Sequence, residues 1–416
     1  MTYQRKRVVI TGVGAITPVG LNAEDTWQNL IRGVSGVTRI SRFDPNGLPV
    51  QIAAEVKGFE PERYIDAKAA RRMARFIQLA VASAKMAVED AGLTEPPADP
   101  FRYGVVMNTG GGGVAEIYDE ALVFAERGPS RVSPFFAPSM ISNMASCQVA
   151  MTFGYKGPVI TSVAACASSM QSFVDAYYLI QRGDADVVIA GGTESAVSPL
   201  AIVALARTGA MSKRNDAPQQ ASRPFDRDRD GFVFGEGAGA FVLETEEHAR
   251  ARGARIYAEL AGGAITCDAY HVTAPEPSGE AAAAAMRRAL EVAGVRPEEV
   301  DYICAHGTAT PLNDVSETRT IKLVFGRHAY RLAISSNKSM VGHLMGGAGA
   351  VSGLVCVMTI RDGIISPTIN LDNPDPECDL DYVPNVARRA NVRVAVANGF
   401  GFGGQNAVVV FRKYEA

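Results

Sequence analysis

The chain has 416 residues, 47% hydrophobic and 20% charged, with a formal net charge of −3. That length supports a large core, as two domains or one duplicated unit. The charge gives no general attraction to nucleic acid, no basic stretch laced with aromatics gives a local one, and no run of 18 apolar residues reads as a membrane span. The start, MTYQRKRVVITG, is charged and leads straight into a strand, so a cytoplasmic chain without a secretory signal is expected.

From the N-terminus, RVVITG (7–12) reads as a strand, and GVGAIT continues it in a way that suggests a dinucleotide loop. Thr17 stands where that motif needs its third glycine, and no acidic residue follows a second strand at the right distance, which argues against it. Residues 66–93, DAKAARRMARFIQLAVASAKMAVEDAGL, read as one amphipathic helix. Lys68, Arg71, Arg72 and Arg75 fall on it at i, i+3, i+4 and i+7, a basic stripe on one face. The strand RYGVVMNTG (102–110) runs into NTGGGG, which lacks the Gly-Lys-Ser/Thr of a phosphate loop. PVITSV (158–163) is an apolar strand, MQSFVDAYYLIQRG (170–183) a helix, and DADVVIAGG (184–192) a further strand. This alternation argues α/β with mainly parallel, buried strands.

DRDRDGFVFGEG (226–237) mimics a calcium loop, with Asp226, Asp228, Asp230 and then Gly231 in place. Its twelfth position is Gly237, where a bidentate carboxylate is required. The six cysteines, at 147, 166, 267, 304, 356 and 378, form no C-x-x-C and read as free thiols in a reducing cytoplasm, not as disulfide staples or a zinc site. RVVITGVGAIT (7–17) is echoed by RIYAELAGGAIT (255–266). TSVAACASSMQSF (161–173) and ISSNKSMVGHLMG (334–346) are each a strand, a polar turn and a helix. The echo suggests two related halves, 1–255 and 256–416.

Cys166 lies where a strand turns into a helix, so first-turn N–H groups and the helix dipole favour its thiolate. Such a position can bring a cysteine from about 8.5 to about 7.5. Small neighbours (Ala164, Ala165, Ala167, Ser168, Ser169) keep the approach open. On this evidence alone a packing cysteine at a tight turn fits equally well. Two of the five histidines lie at similar junctions: His306 ends the strand DYICA, and His343 precedes LMGGAGAVSGLVCVMTI. In parallel α/β sheets such carboxyl-end junctions gather in one crevice. His248 and His328 sit in charged stretches and are expected at the surface, while His271 is ambiguous. In NGFGFGGQNAVVVF (398–411), Gly401, Gly403 and Gly404 flank Phe402. That turn could present N–H groups to an oxyanion, or could be a hairpin with aromatic packing.

Together AACASS, DGFVFGEGAGAFVLE, AHGTATPLND, NKSMVGHLMGGAGA, PTINLDNPDPECDLDYVPN and NGFGFGGQN resemble the β-ketoacyl-acyl-carrier-protein synthases, most closely the elongating type II enzymes, over residues 6–413. The resemblance implies a thiolase fold, a duplicated five-layered αβαβα sandwich paired as a homodimer. The nucleophile-bearing half would be 1–255 and the half carrying both histidines 256–416. It implies Cys166 as acylated nucleophile, His306 and His343 as its partners, and Lys338 as the supporting lysine. Thr308, Thr310 and Phe400 would contact substrate, and the N–H groups of Cys166 and Phe402 would form an oxyanion hole gated by Phe402. Gly111 would lie at the pocket floor, where isoleucine is common. Acyl- and malonyl-loaded carrier protein would dock on Lys68, Arg71, Arg72 and Arg75, with Arg207 standing in for an arginine missing at Gly209. No cofactor or metal is implied.

The chain departs from that pattern at Ser352, where many relatives carry the glutamate partner of Lys338, leaving Glu317 as a candidate, and at Gln405. Degradative thiolases need a second reactive cysteine near the C-terminus, and starter-unit synthases an asparagine where His343 stands. A ketosynthase subunit of a type II polyketide system, or a non-catalytic chain-length-factor-like partner, are the alternatives; the latter lack the nucleophile.

Overall fold

In the computed structural model, which describes residues 6–415, one strand pattern occurs twice. The first five strands of the main sheet are β1 (Val8–Ile16), β2 (Tyr103–Asn108), β3 (Val159–Ile160), β4 (Val187–Glu194) and β5 (Gly237–Thr245). The next five are β6 (Ala258–Cys267), β7 (Tyr302–Cys304), β8 (Ala333–Ser335), β9 (Val394–Gly401) and β10 (Gln405–Arg412). The first set is ordered β3-β2-β4-β5-β1 and the second β8-β7-β9-β10-β6. In each, the three strands at the far end are parallel and the other pairings antiparallel. A short antiparallel pairing of Val9 with Glu259 and Ile10 with Ala258 joins the halves into one ten-stranded sheet.

The layers follow from which helices are buried on one face and which on both. The outer helices α1 (Arg75–Asp90) and α3 (Glu280–Ala293) are amphipathic and cover β1 and β6 respectively. The helix α4 (Pro311–Phe325) packs beside α3, and between the half-sheets lie α2 (Ser168–Arg182) and α5 (Ala348–Asp362). From Ala348 to Ile360 every residue of α5 is buried, so no polar stripe exists for a periodicity to reveal. Phe173 of α2 shows the sandwiching: its ring meets Phe241 of β5 at 4.9 Å and Phe411 of β10 at 5.7 Å, both edge-on.

The GVGAIT glycines have a packing role. A Cβ on Gly12 would lie 2.1 Å from the Ala87 carbonyl oxygen and one on Gly14 2.1 Å from that of Ser83, so α1 rests directly on β1. Gly262 does the same in β6, where a Cβ would lie 2.7 Å from the Ala293 nitrogen of α3. The two similar sequences thus meet one requirement, close seating of an outer helix on the first strand of each half.

The stretch 66–93 is not one helix. A short helix, Ala67–Ala70, capped by the Asp66 side chain, ends in a turn, and α1 begins at Arg75. At that boundary Ala74 is extended (ψ 153°), the Arg75 backbone N–H goes to Glu116 Oε1 at 3.2 Å, and the Arg75 guanidinium reaches Glu236, with Nη2 to Oε1 at 3.0 Å and Nε to Oε2 at 3.1 Å. Lys68, Arg71 and Arg72 stay exposed, but Arg75 is half-buried in this ion pair and leaves the stripe. The calcium-like loop is also committed internally. Asp226 is fully buried and accepts from the backbone N–H groups of Asp228, Asp372 and Asn373 and from Arg223.

Candidate active site

Cys166 sits in a tight turn, Ala165–Ala167, that opens α2. Ala165 is left-handed, with φ +48°, a conformation an alanine keeps only when its surroundings impose it. Two further non-glycine residues near the site share that conformation: Ala309, between Thr308 and Thr310, at +65°, and Met345, just past His343, at +44°. Turns after β3, β7 and β8 therefore carry their side chains to one place.

That place is a cavity of about 300 Å³ lined by Cys166, His306, His343, Thr308, Thr310, Phe400 and Phe402, among others. The two imidazoles meet edge to face at 5.4 Å; Phe400 lies 5.6 Å from His306, and Phe232 stands edge-on to His343 at 5.4 Å. The Thr308 and Thr310 hydroxyls are 3.0 Å apart. The backbone N–H groups of Phe402 and of Cys166 itself lie near enough to the Cys166 sulfur to favour its thiolate. The chain can come this close because position 401 has no side chain: a Cβ on Gly401 would lie 3.1 Å from the Cys166 nitrogen.

Burial decides the protonation states. It pushes the Cys166 thiol up to about 11, and the nearby Lys338 charge and the Phe402 N–H only partly offset it. The thiolate expected from the helix N-terminus is therefore not the resting form. Burial, reinforced by the charge of Lys338, holds His306 and His343 well below the ordinary histidine range, so both are neutral. Lys338 is itself 2% exposed, in the turn Lys338–Val341, and does not line the cavity. It acts on the site as a charge from behind.

Glu317 does not form an ion pair with Lys338. Its carboxylate accepts the backbone N–H groups of His306 and Gly307, each at 2.7 Å, and the Asn398 amide at 2.9 Å. Ser352 takes a hydrogen bond from Asn337 at 3.3 Å. Glu317 thus braces the His306 turn and contributes negative charge near Lys338.

Gly111 is not among the residues lining the cavity. Its N–H is turned to the buried carboxyl of Glu194, which also holds Gly346 next to the cavity-lining Met345. Arg207 is exposed beside Thr208 and Gly209, which do line the cavity. His248 and His328 are half-buried rather than free at the surface: His248 bonds Glu244 through Nδ1, and His328 bonds the Val300 carbonyl at 2.9 Å. His271 is exposed, its Nδ1 accepting from the N–H groups of Thr273 and Ala274. Among the described residues, no cluster of three or more His, Cys, Asp or Glu is suited to a metal ion. Sequence reasoning missed Glu194, Phe232 and the left-handed alanines. The polar end of an otherwise apolar strand, AGGTE, was the available signal for Glu194.

A buried thiol beside two backbone N–H groups, with two neutral imidazoles facing the same cavity, has the parts of an acyl-transfer centre that works through cysteine. Comparison with known proteins narrows this class. Residues 5–249 match the N-terminal domain and residues 257–372 the C-terminal domain of β-ketoacyl synthases. The chain belongs to the β-ketoacyl synthase family. It is 50% identical over 412 residues to the 3-oxoacyl-[acyl-carrier-protein] synthase 2 of Synechocystis sp., covering 99% of both chains. The same-named protein of Coxiella burnetii is 47% identical over 410 residues, covering 99% of both. Among solved structures, the ishigamide ketosynthase/chain length factor superposes with a TM-score of 0.92 at 38% identity, covering 99% of this chain and 100% of that one. A type II polyketide acyl-carrier protein complexed with its hexaketide-bound ketosynthase gives 0.92 at 34% identity, with the same coverage.

Proposed function

We propose that this chain is an elongating 3-oxoacyl-acyl-carrier-protein synthase, joining an acyl group on Cys166 to malonyl-carrier protein with loss of CO2. The observation that carries this reading is the convergence of Cys166, His306, His343 and the Phe402 N–H on one cavity. The full-length relatives of 47% and 50% identity support fatty-acid elongation over the polyketide alternative.

The steps follow from the geometry. The thiol of Cys166 attacks the acyl thioester; the new C–S bond forms as the carrier's C–S bond breaks, and the thiol proton ends on the departing carrier thiol. The Cys166 and Phe402 N–H groups hold the tetrahedral oxyanion. Malonyl thioester then takes the carrier's place, its pantetheine arm passing Thr308 and Thr310. The C–C bond to the carboxylate breaks, CO2 leaves, and the electron pair becomes an enolate. His306 and His343, neutral because buried, each offer an N–H to the enolate oxygen. The carbanion attacks the acyl-Cys166 carbonyl, the cysteine sulfur leaves, and one proton restores the thiol. Burial, with the Lys338 charge behind it, keeps the imidazoles from protonating, and so keeps them neutral N–H donors to the anion.

Two further parts of the reading concern assembly and location. The halves 1–255 and 256–416 form one duplicated unit, a division the repeated strand order supports. The chain pairs with a second copy through the β3 edge: Ile117, Phe124, Phe135, Ile141, Met151, Val159 and Val163 are exposed apolar side chains from one stretch of sequence that includes this edge strand. Free cysteines fit a reducing cytoplasm, and among the described residues no helix is long and apolar enough to cross a membrane.

The test supplies purified chain with acyl- and malonyl-carrier protein. Formation of β-ketoacyl-carrier protein lengthened by two carbons supports the reading. Its absence, or its persistence in Cys166→Ala, contradicts it.

A further inference from the structure

Glu194 ends β4 with a side chain on a residue only 1% exposed, and no cation among the described residues pairs with it. Its Oε2 accepts three backbone N–H groups: Gly110 at 3.0 Å, Gly111 at 3.2 Å and Gly346 at 3.1 Å. Its Oε1 accepts the Thr109 hydroxyl at 3.2 Å. These donors come from two separate turns. Gly110 and Gly111 follow β2, and a Cβ on Gly110 would lie 3.2 Å from the Ala165 carbonyl oxygen, so this turn abuts the one that presents Cys166. Gly346 lies three residues past His343, in the turn whose Met345 is left-handed.

We infer that Glu194 is a positioning residue for condensation: its one carboxyl oxygen ties the turn beside Cys166 to the turn that carries His343, fixing nucleophile and enolate donor relative to each other. The inference rests on the roles given to Cys166 and His343 above. The clamp needs an acceptor at Oε2, not a negative charge. Burial pushes this carboxyl up to about 7 despite its N–H donors, so near neutral pH the acid form is well populated. In that form the proton on Oε1 faces the Thr109 oxygen and Oε2 still accepts three bonds. Glutamine reproduces this pattern, carbonyl at Oε2 and amide NH2 toward Thr109, whose oxygen also takes the Gly112 N–H at 3.1 Å. Aspartate keeps the charge but is one methylene too short to reach both turns.

The experiment compares Glu194→Gln and Glu194→Asp with the unaltered chain, each first shown by thermal melting to be folded. The readouts are kcat and KM for malonyl-carrier protein and the pH profile of Cys166 alkylation by iodoacetamide. Glu194→Gln should keep kcat within about threefold, while loss of the Glu194 charge, which raises the Cys166 thiol, moves the alkylation profile to lower pH. Glu194→Asp should lose roughly 10–100-fold in kcat, the scale of a small misplacement of reacting groups, with KM unchanged within twofold because carrier docking is remote. A Gln variant slowed as much as the Asp variant would assign the effect to charge and overturn the clamp. So would an Asp variant as fast as the unaltered chain. Failure of the unaltered chain to condense at all would sink the functional reading instead, so the two failures are distinguishable.

Discussion

On the proposed function, Cys166 is a nucleophile stored as a thiol. Its surroundings exclude water, and burial outweighs the Lys338 charge and two N–H donors, leaving the group at about 11. The folded-state value lies above the ordinary range near 8.5, so alkylation of Cys166 by iodoacetamide should rise steadily from pH 7 to pH 10 without a plateau. A plateau below pH 8 would show that the helix N-terminus and Lys338 win over burial. The histidines shift in the opposite direction for the same reason. Their neutrality suits them to the enolate, so His306→Ala and His343→Ala should each cost roughly 10²–10³ in malonyl decarboxylation, the scale of one lost oxyanion donor. Acyl transfer to Cys166, followed separately in single turnover, should fall much less. Equal losses in both half-reactions would make the histidines structural. That these three residues gather at one cavity was legible in the sequence, because each sits at a junction between an apolar strand and a small-residue turn. Their protonation states were not, because burial is set by segments far away in the chain.

At the scale of elements, the basic stretch 66–75 shows where periodicity misleads. The i, i+3, i+4, i+7 spacing continues through the turn before Arg75, so one helix was expected. At the break the Arg75 N–H meets Glu116 and its guanidinium pairs with Glu236, 161 residues away, contacts that no local pattern encodes. Glu236 is held below the ordinary carboxylate range because Arg75 and Arg42 outweigh the burial that pushes it up. Arg75 is thus a structural cation. Arg71 and Arg72 remain exposed, Arg72 stacked on Phe135 at 4.5 Å. If these two guide an acidic carrier, Arg71→Glu with Arg72→Glu should raise its KM several-fold and weaken the salt dependence of that KM, while turnover of a small acyl-pantetheine stays unchanged. Equal losses on both substrates would place the segment in folding rather than docking. The glycines of β1 and β6 show the opposite case. Their repetition was visible because the same close helix contact recurs in both halves.

At the scale of the whole molecule, the duplication places Cys166 and Lys338 at corresponding junctions, after β3 and β8. One half presents the thiol, the other both histidines and the lysine, and α2 and α5 between the half-sheets bring them to one cavity. The alternation of apolar strands and helices made the α/β class legible. The central position of α5 was not, since a helix buried all round carries no amphipathic signature. The proposed pairing with a second copy rests on the exposed apolar side chains near β3. Phe124→Glu should shift the chain from dimer to monomer in analytical ultracentrifugation. A variant that stays dimeric, or a parent chain that is monomeric at micromolar concentration, would contradict that placement.

The most direct measurement is the intact mass of the chain after brief exposure to an acyl-carrier protein without malonyl substrate. One acyl adduct per chain, located to the peptide containing Cys166 and absent from Cys166→Ala, is the expected result. An adduct on another cysteine, or none on a chain that nevertheless condenses acyl and malonyl groups, would show that the chemistry does not run through Cys166.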